Sequence, residues 1–186
     1  MSAAMRPMRQ YGGISGNMQQ MIDSMRAYAP VPWEQIPDLG LYKDQVITYI
    51  ERVYAPLYGA QAARLLTPSM INNYVKMGVI ARPEGKKYGR EQLAMLTMLV
   101  VLKQASSLED TARLMNVDRS AGARPIYEAF CTYLTEQLSS FADSLAASDA
   151  TALHLAVGAA VGSLACEAML AAEQRGRESD APRRSK

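Results

Sequence analysis

The chain has 186 residues, enough for one domain or for one small domain with appendages, and its 49% of hydrophobic residues can supply a core. Two cysteines, Cys131 and Cys166, are too few for a disulfide scaffold and fit a reducing compartment. The formal net charge of +2 excludes little by itself, so the information lies in where the charges fall.

Residues 1–16 are rich in Met, Gly, Ser and Arg, show no periodicity and read as disordered. Arg6, Pro7, Arg9, Gly12 and Gly13 interrupt any apolar run of signal-peptide length, so a cytoplasmic protein is expected. From Asn17 to Tyr28 a stripe of Met18, Met21, Met25 and Tyr28 at helical spacing predicts a short amphipathic helix. Such a stripe can grip a partner, because Met adapts to irregular surfaces, but it more often docks on its own domain. Pro30, Pro32 and Pro37 then make an extended connector that holds Trp33 and Ile36, with Trp33 expected to pack on the domain edge.

From Leu41 to about Leu57 the chain reads as a helix with Val46, Ile50, Val53 and Leu57 on one face and Tyr49 and Tyr54 flanking it. Pro56 and Gly59 end it, and Ala60 to Leu65 adds a turn. Next comes a short helix from Thr67 to Met77. Thr67 is its N-cap, Pro68 sits at the first helical position where a missing N–H costs nothing, and Gly78 supplies a left-handed stop. Ile71, Tyr74 and Val75 share one face of this helix, whereas Ser69, Asn72, Asn73 and Lys76 point elsewhere. Arg82-Pro83-Glu84-Gly85 reads as the turn of a small β-wing and Lys86 to Tyr88 as its return strand. EGKKYG lacks the spacing of a phosphate loop.

Nearly every position from Leu93 to Leu102 is apolar, so the helix from Arg90 to Gln104 is expected to be central and buried. Ser106 and Glu109 read as a capping box that opens a helix from Leu108 to about Met115. After a polar break from Asn116 to Pro125, two helical stretches follow, about Ile126 to Ala146 and about Ala150 to Glu173. The second is dominated by Ala and Gly and contains Gly158-x-x-x-Gly162, small residues that permit close helix approach. Its uncharged run from Leu155 to Cys166 falls short of the roughly 20 residues that a membrane span needs, so no membrane partner is expected. The two stretches are read instead as a hairpin that packs on the preceding domain, on a second subunit, or on both. The tail from Arg175 is polar and reads as disordered.

Charge is segregated along this order. Residues 64–103 carry net +5 and residues 104–174 carry net −6. Positive charge therefore gathers where an amphipathic helix with polar amides is followed by Lys86, Lys87 and Arg90. That combination has the form of a helix-turn-helix with a basic wing and suits a polyanion partner.

Three separated motifs carry a resemblance: LYKDQV (Leu41 to Val46), MINNYVK (Met70 to Lys76) and KKY (Lys86 to Tyr88). In this order, over about Pro32 to Met115, they resemble an uncharacterised bacterial family, domain of unknown function 1836. The pattern from Thr67 to Ile80, followed by KKY and a helix, is also similar to the helix-wing-helix of MerR-type transcription regulators. It departs from them in having Ser69 and Asn72 where arginines are usual and Asn73 where a tyrosine is usual. The resemblance implies a MerR-like winged helix and no established activity.

The expected architecture is thus all-α with a small β-wing. It comprises an arm (1–31), a MerR-like winged-helix domain (32–118), a C-terminal helical hairpin (119–174) with possible homodimerisation, and a tail (175–186). The expected function is transcription regulation by binding double-stranded DNA. Asn72 and Asn73 can offer amide pairs to adenine, although one of them can equally cap or brace the wing. Lys76, Lys86, Lys87 and Arg90 would contact phosphates, and Tyr88 would pack beneath the wing. One module buries limited surface on DNA, so specific binding calls for a two-fold dimer. The alternative is a protein-interaction module on the same scaffold.

No catalytic constellation is present in the sequence, so no enzyme is expected. His154 lies in an Ala/Leu-rich helix without a neighbouring acid, and Cys131, Cys166 and His154 lack metal-ligand spacing. No cofactor is expected, and no residue identifies a small-molecule effector.

Overall fold

A computed structural model describes residues 14–115, 122–148 and 150–180. The arm read as disordered (1–13), most of the polar break (116–121) and the end of the tail (181–186) lie outside the described residues.

The chain is mostly helical, with a small two-stranded antiparallel sheet. Its helices are α1 (Ile14–Ala27), α2 (Lys43–Tyr58), α3 (Pro68–Lys76), α4 (Arg90–Leu102), α5 (Leu108–Leu114), α6 (Arg124–Ala146) and α7 (Ala152–Asp180). Its strands are β1 (Leu41–Tyr42) and β2 (Lys87–Tyr88), paired Leu41 with Tyr88 and Tyr42 with Lys87.

The run of apolar residues in α4 makes it the centre of the core: Leu93, Ala94, Leu96, Met98, Leu99 and Val100 are all buried. The face of α2 is set by strict four-residue spacing. Val46, Ile50 and Tyr54 are fully buried, whereas Val53 and Leu57 pack at the margin. Tyr54 is therefore a core residue and not a flanking one. Its hydroxyl donates to the Thr97 carbonyl at 2.8 Å, and its ring stacks on Tyr28 with centroids 6.1 Å apart. A buried phenol needs such an acceptor, because an unpaired hydroxyl costs about 1–3 kcal/mol.

The methionine helix α1 docks on α6. Ile22 is buried with Ala142 and Leu145, Met18, Met21 and Met25 pack around them, and Arg26 pairs with Asp143 at 2.8 Å. Trp33 lies against Tyr127, whose hydroxyl donates to the Val31 carbonyl at 2.7 Å and pins the proline connector to α6.

The structure corrects three local expectations. The strand Lys87–Tyr88 does not return against the residues before Pro83 but pairs across the chain with Leu41–Tyr42. Pro83 has no N–H to give to a ladder, and Gly40 leaves room: a Cβ there would stand 2.8 Å from Lys87 Cβ. At α5 the N-cap is Ser107, whose Oγ accepts from the Asp110 N–H at 3.0 Å, while Ser106 bonds back to the Leu102 carbonyl. The cap is shifted by one residue, and the reciprocal half of the expected box is replaced by a bond from the Ser107 hydroxyl to Asp110 Oδ2, because α4 runs on into turns through Ser106 that occupy the Ser106 hydroxyl.

Third, the last helix is longer than the stretch to Glu173 that was expected. α6 packs on α1 and α4; on α7, Leu155 packs beside Ile22 and Leu145, Ser163 Oγ donates to the Ala105 carbonyl at 2.7 Å, and Leu170 is buried. α7 also continues to Asp180, through residues expected to be unstructured. Ala168 to Ala172 extend its apolar run beyond Glu167, so Ala152–Arg177 is long and apolar enough, by length and composition, to cross a membrane. The shortness of the uncharged run therefore does not exclude a span on length alone.

Candidate nucleic-acid interface

The proposed contact helix is built by its own sequence. Thr67 Oγ1 accepts the Met70 N–H at 3.3 Å, and Pro68 opens the helix. At the other end Gly78 takes φ 72°, and the N–H groups of Val79 and Ile80 return to the Tyr74 carbonyl at 3.0 and 3.2 Å. Ile71 and Tyr74 are buried and hold the helix on the core; burial raises the Tyr74 phenol above its ordinary range. Ser69, Asn72, Asn73 and Lys76 are left facing solvent.

The basic turn lies beyond α3. The Lys87 N–H donates to the Glu84 carbonyl at 2.9 Å, closing a four-residue turn whose central residues Gly85 and Lys86 have φ 51° and 67°. Positive φ at both centres is the mark of a type I′ turn. Lys86 is the one non-glycine residue at positive φ among the described residues, and a side chain there costs roughly 1–2 kcal/mol. Gln92 braces the base of this turn: its Oε1 accepts from Gly89 N–H at 2.7 Å, and its Nε2 donates to the Arg82 carbonyl at 3.2 Å.

Two side chains connect turn and helix through β1. Lys87 Nζ lies 5.2 Å above the centre of the Tyr42 ring, within reach of a cation–π attraction. The next residue, Lys43, donates from Nζ to Asn72 Oδ1 at 2.6 Å. Asn72, β1 and the basic turn thus sit on one connected surface, with Lys43 at its centre.

The expected site residues divide accordingly. Among the described residues, Ser69, Asn73, Lys76 and Lys86 are exposed and held by no side-chain hydrogen bond or ion pair. Lys87 is exposed and poised on Tyr42. Asn72 is exposed, but its carbonyl oxygen is engaged by Lys43. Arg90 is turned inward: its Nε donates to the Ile36 carbonyl at 3.0 Å, and its guanidinium lies 3.7 Å from Asp38. It clamps the proline connector to α4 and is poorly placed to meet a phosphate. Tyr88 is buried beneath the turn.

Lys43 and Tyr42 were not singled out as contacts by sequence reasoning. Their only local sign is the LYKDQV motif itself, because a pairing between positions about 45 residues apart leaves no periodicity to read. Among the described residues no three His, Cys, Asp or Glu side chains converge as a metal site, and both cysteines are free. Burial raises the Cys131 thiol, partly opposed by its hydrogen bond with Tyr127, which makes it a poor nucleophile.

The fold and site together define a small helical domain with an exposed, lysine-bearing edge and a two-stranded brace. The chain belongs to the family described as Domain of unknown function (DUF1836), whose model matches residues 31–130. No curated protein and no solved structure matches the chain.

Proposed function

We propose that this protein is a DNA-binding transcription regulator of MerR-like winged-helix type, acting in the cytoplasm as a dimer. In this reading α3 enters the major groove of duplex DNA and the turn at Lys86 and Lys87 meets the backbone. The observation that carries it is the run of contacts from Asn72 through Lys43 and its neighbour Tyr42 to Lys87. Lys76, Lys86 and Lys87 are exposed together with the amide of Asn73, and Lys43 bridges α2 to α3 at Asn72. Asn73, whose side chain has no other partner, is the better candidate for an adenine contact, because Asn72 has one lone-pair group spent on Lys43. The lysines position the protein and supply salt-sensitive affinity. Arg90 has no direct part in this reading.

The test is binding to genomic duplex fragments across a range of salt. Affinity that falls steeply with salt supports the reading, and salt-independent binding or none opposes it. One observation favours a second reading, a protein-interaction module on the same scaffold: Lys76 is the one basic residue on α3. A partner recovered from nuclease-treated extract in an amount equal to that from untreated extract would favour it.

A further inference from the structure

Asn72 and Asn73 are neighbours on α3 and both are exposed, but they present different groups. The Asn73 side chain has no partner among the described residues, so its amide offers a donor and an acceptor together. Asn72 differs because Lys43 Nζ stands 2.6 Å from its amide oxygen. An ammonium group only donates, so the end of the amide it faces is the carbonyl, and the amino group Nδ2 is the end left open. Both partners stand on fixed backbone. Tyr42, just before Lys43, pairs with Lys87 in the small sheet, and its N–H donates to Gln45 Oε1 at 2.9 Å in the first turn of α2. Asn72 is carried by the capped helix α3 between the buried residues Ile71 and Tyr74.

We infer that Lys43 and Asn72 act as one unit that selects guanine at the base pair it meets, where Asn72 alone would select adenine. The inference rests on the proposed entry of α3 into the major groove. A free asparagine amide accepts from adenine N6 and donates to adenine N7. At Asn72 the accepting oxygen is engaged, and a cation stands where the amino group of adenine or cytosine would have to approach. Oδ1 keeps a second lone pair, but the ammonium repels any amino group brought to it. What the pair has to offer is donors: Asn72 Nδ2 and the two Lys43 Nζ hydrogens not spent on Oδ1. Guanine is the base whose major-groove edge carries two acceptors, N7 and O6, and no donor. Thymine O4 is a single acceptor beside a methyl group and comes second. Lys43 is thus a specificity-determining residue, and two adjacent asparagines of identical chemistry carry different base preferences, guanine at Asn72 and adenine at Asn73.

The measurement is selection of bound duplexes from a library with a randomised core, sequenced after binding to the full chain, for wild type, Lys43→Met, Lys43→Arg and Asn72→Ala. Circular dichroism checks that each variant remains folded. The expected wild-type motif has a guanine at one position that Lys43→Met converts toward adenine, with a change of about tenfold in the guanine-to-adenine ratio. Lys43→Arg, which keeps a donating cation beside Asn72, should retain the guanine. Asn72→Ala should lose the preference at that position and keep it at the others. A Lys43→Met motif identical to the wild type, even with affinity lowered equally for every sequence, would make Lys43 a backbone contact only and overturn the inference. So would a wild-type motif without that guanine, or duplex binding that enriches no sequence, while both leave duplex binding itself standing. A wild type that binds no duplex at any salt concentration overturns the DNA reading and this inference together.

Discussion

Lys43 Nζ and Asn72 Oδ1 are 2.6 Å apart, joining the first turn of α2 to the outward face of α3. One amide is thereby fixed in orientation, and a cation is held at the meeting point of helix, strand and turn. Lys43→Met removes that cation and releases Asn72. Exposed pairs of this kind contribute about 0–1 kcal/mol, so thermal denaturation should change little. Duplex affinity should fall, and the slope of its logarithm against that of salt should lose about one unit. A variant that binds like the wild type at every salt concentration would remove Lys43 from the interface.

Lys86 sits where glycine or asparagine would be relaxed. Lys86→Gly should therefore raise stability by roughly 1 kcal/mol, offset by a few tenths from added freedom in the unfolded chain. The same change should weaken DNA binding, so stability and affinity move in opposite directions. Urea denaturation and fluorescence anisotropy on one sample read both.

The cap of α3 has a separate cost. Thr67→Ala removes the acceptor of the Met70 N–H and should destabilise the protein by about 1 kcal/mol, with α3 amides losing hydrogen-exchange protection before those of α4. Equal loss in both helices would mean that α3 does not open on its own.

Alkaline pH supplies a fourth expectation. Burial, with a smaller contribution from Cys131, pushes the Tyr49 phenol up to about 12, and burial raises Tyr28, Tyr54 and Tyr127 as well. Between the unfolded value of about 10 and the folded values, the unfolded chain has lost phenolic protons that the native chain retains. Stability is thus full below pH 10 and declines as pH rises beyond it. Ionisation of these four buried phenols, followed by tyrosinate absorbance, should accompany loss of helical circular dichroism; their ionisation in a still-helical protein would contradict the burial.

What could be read from the sequence was what short-range chemistry determines. Thr67, Pro68 and Gly78 bound α3 through bonds to residues within a few positions, and the unbroken apolar run from Leu93 marks the core helix without reference to its neighbours. Three features were set by distant partners and left no local trace. Lys87 pairs with Tyr42, Arg90 is drawn to Ile36 and Asp38, and Tyr54 turns inward to the Thr97 carbonyl. Charge counting placed Arg90 with Lys86 and Lys87, but a guanidinium with a backbone carbonyl at 3.0 Å is part of the scaffold. Composition likewise showed that α7 is apolar but not that its outer side stays uncovered.

The most direct measurement is an electrophoretic shift of duplex DNA by the wild type and by a Lys86→Glu/Lys87→Glu variant, both verified as folded. The account predicts that the wild type retards the duplex at low salt and that the double variant does not, with at least a tenfold loss of affinity. Equal shifts by the two proteins would contradict it.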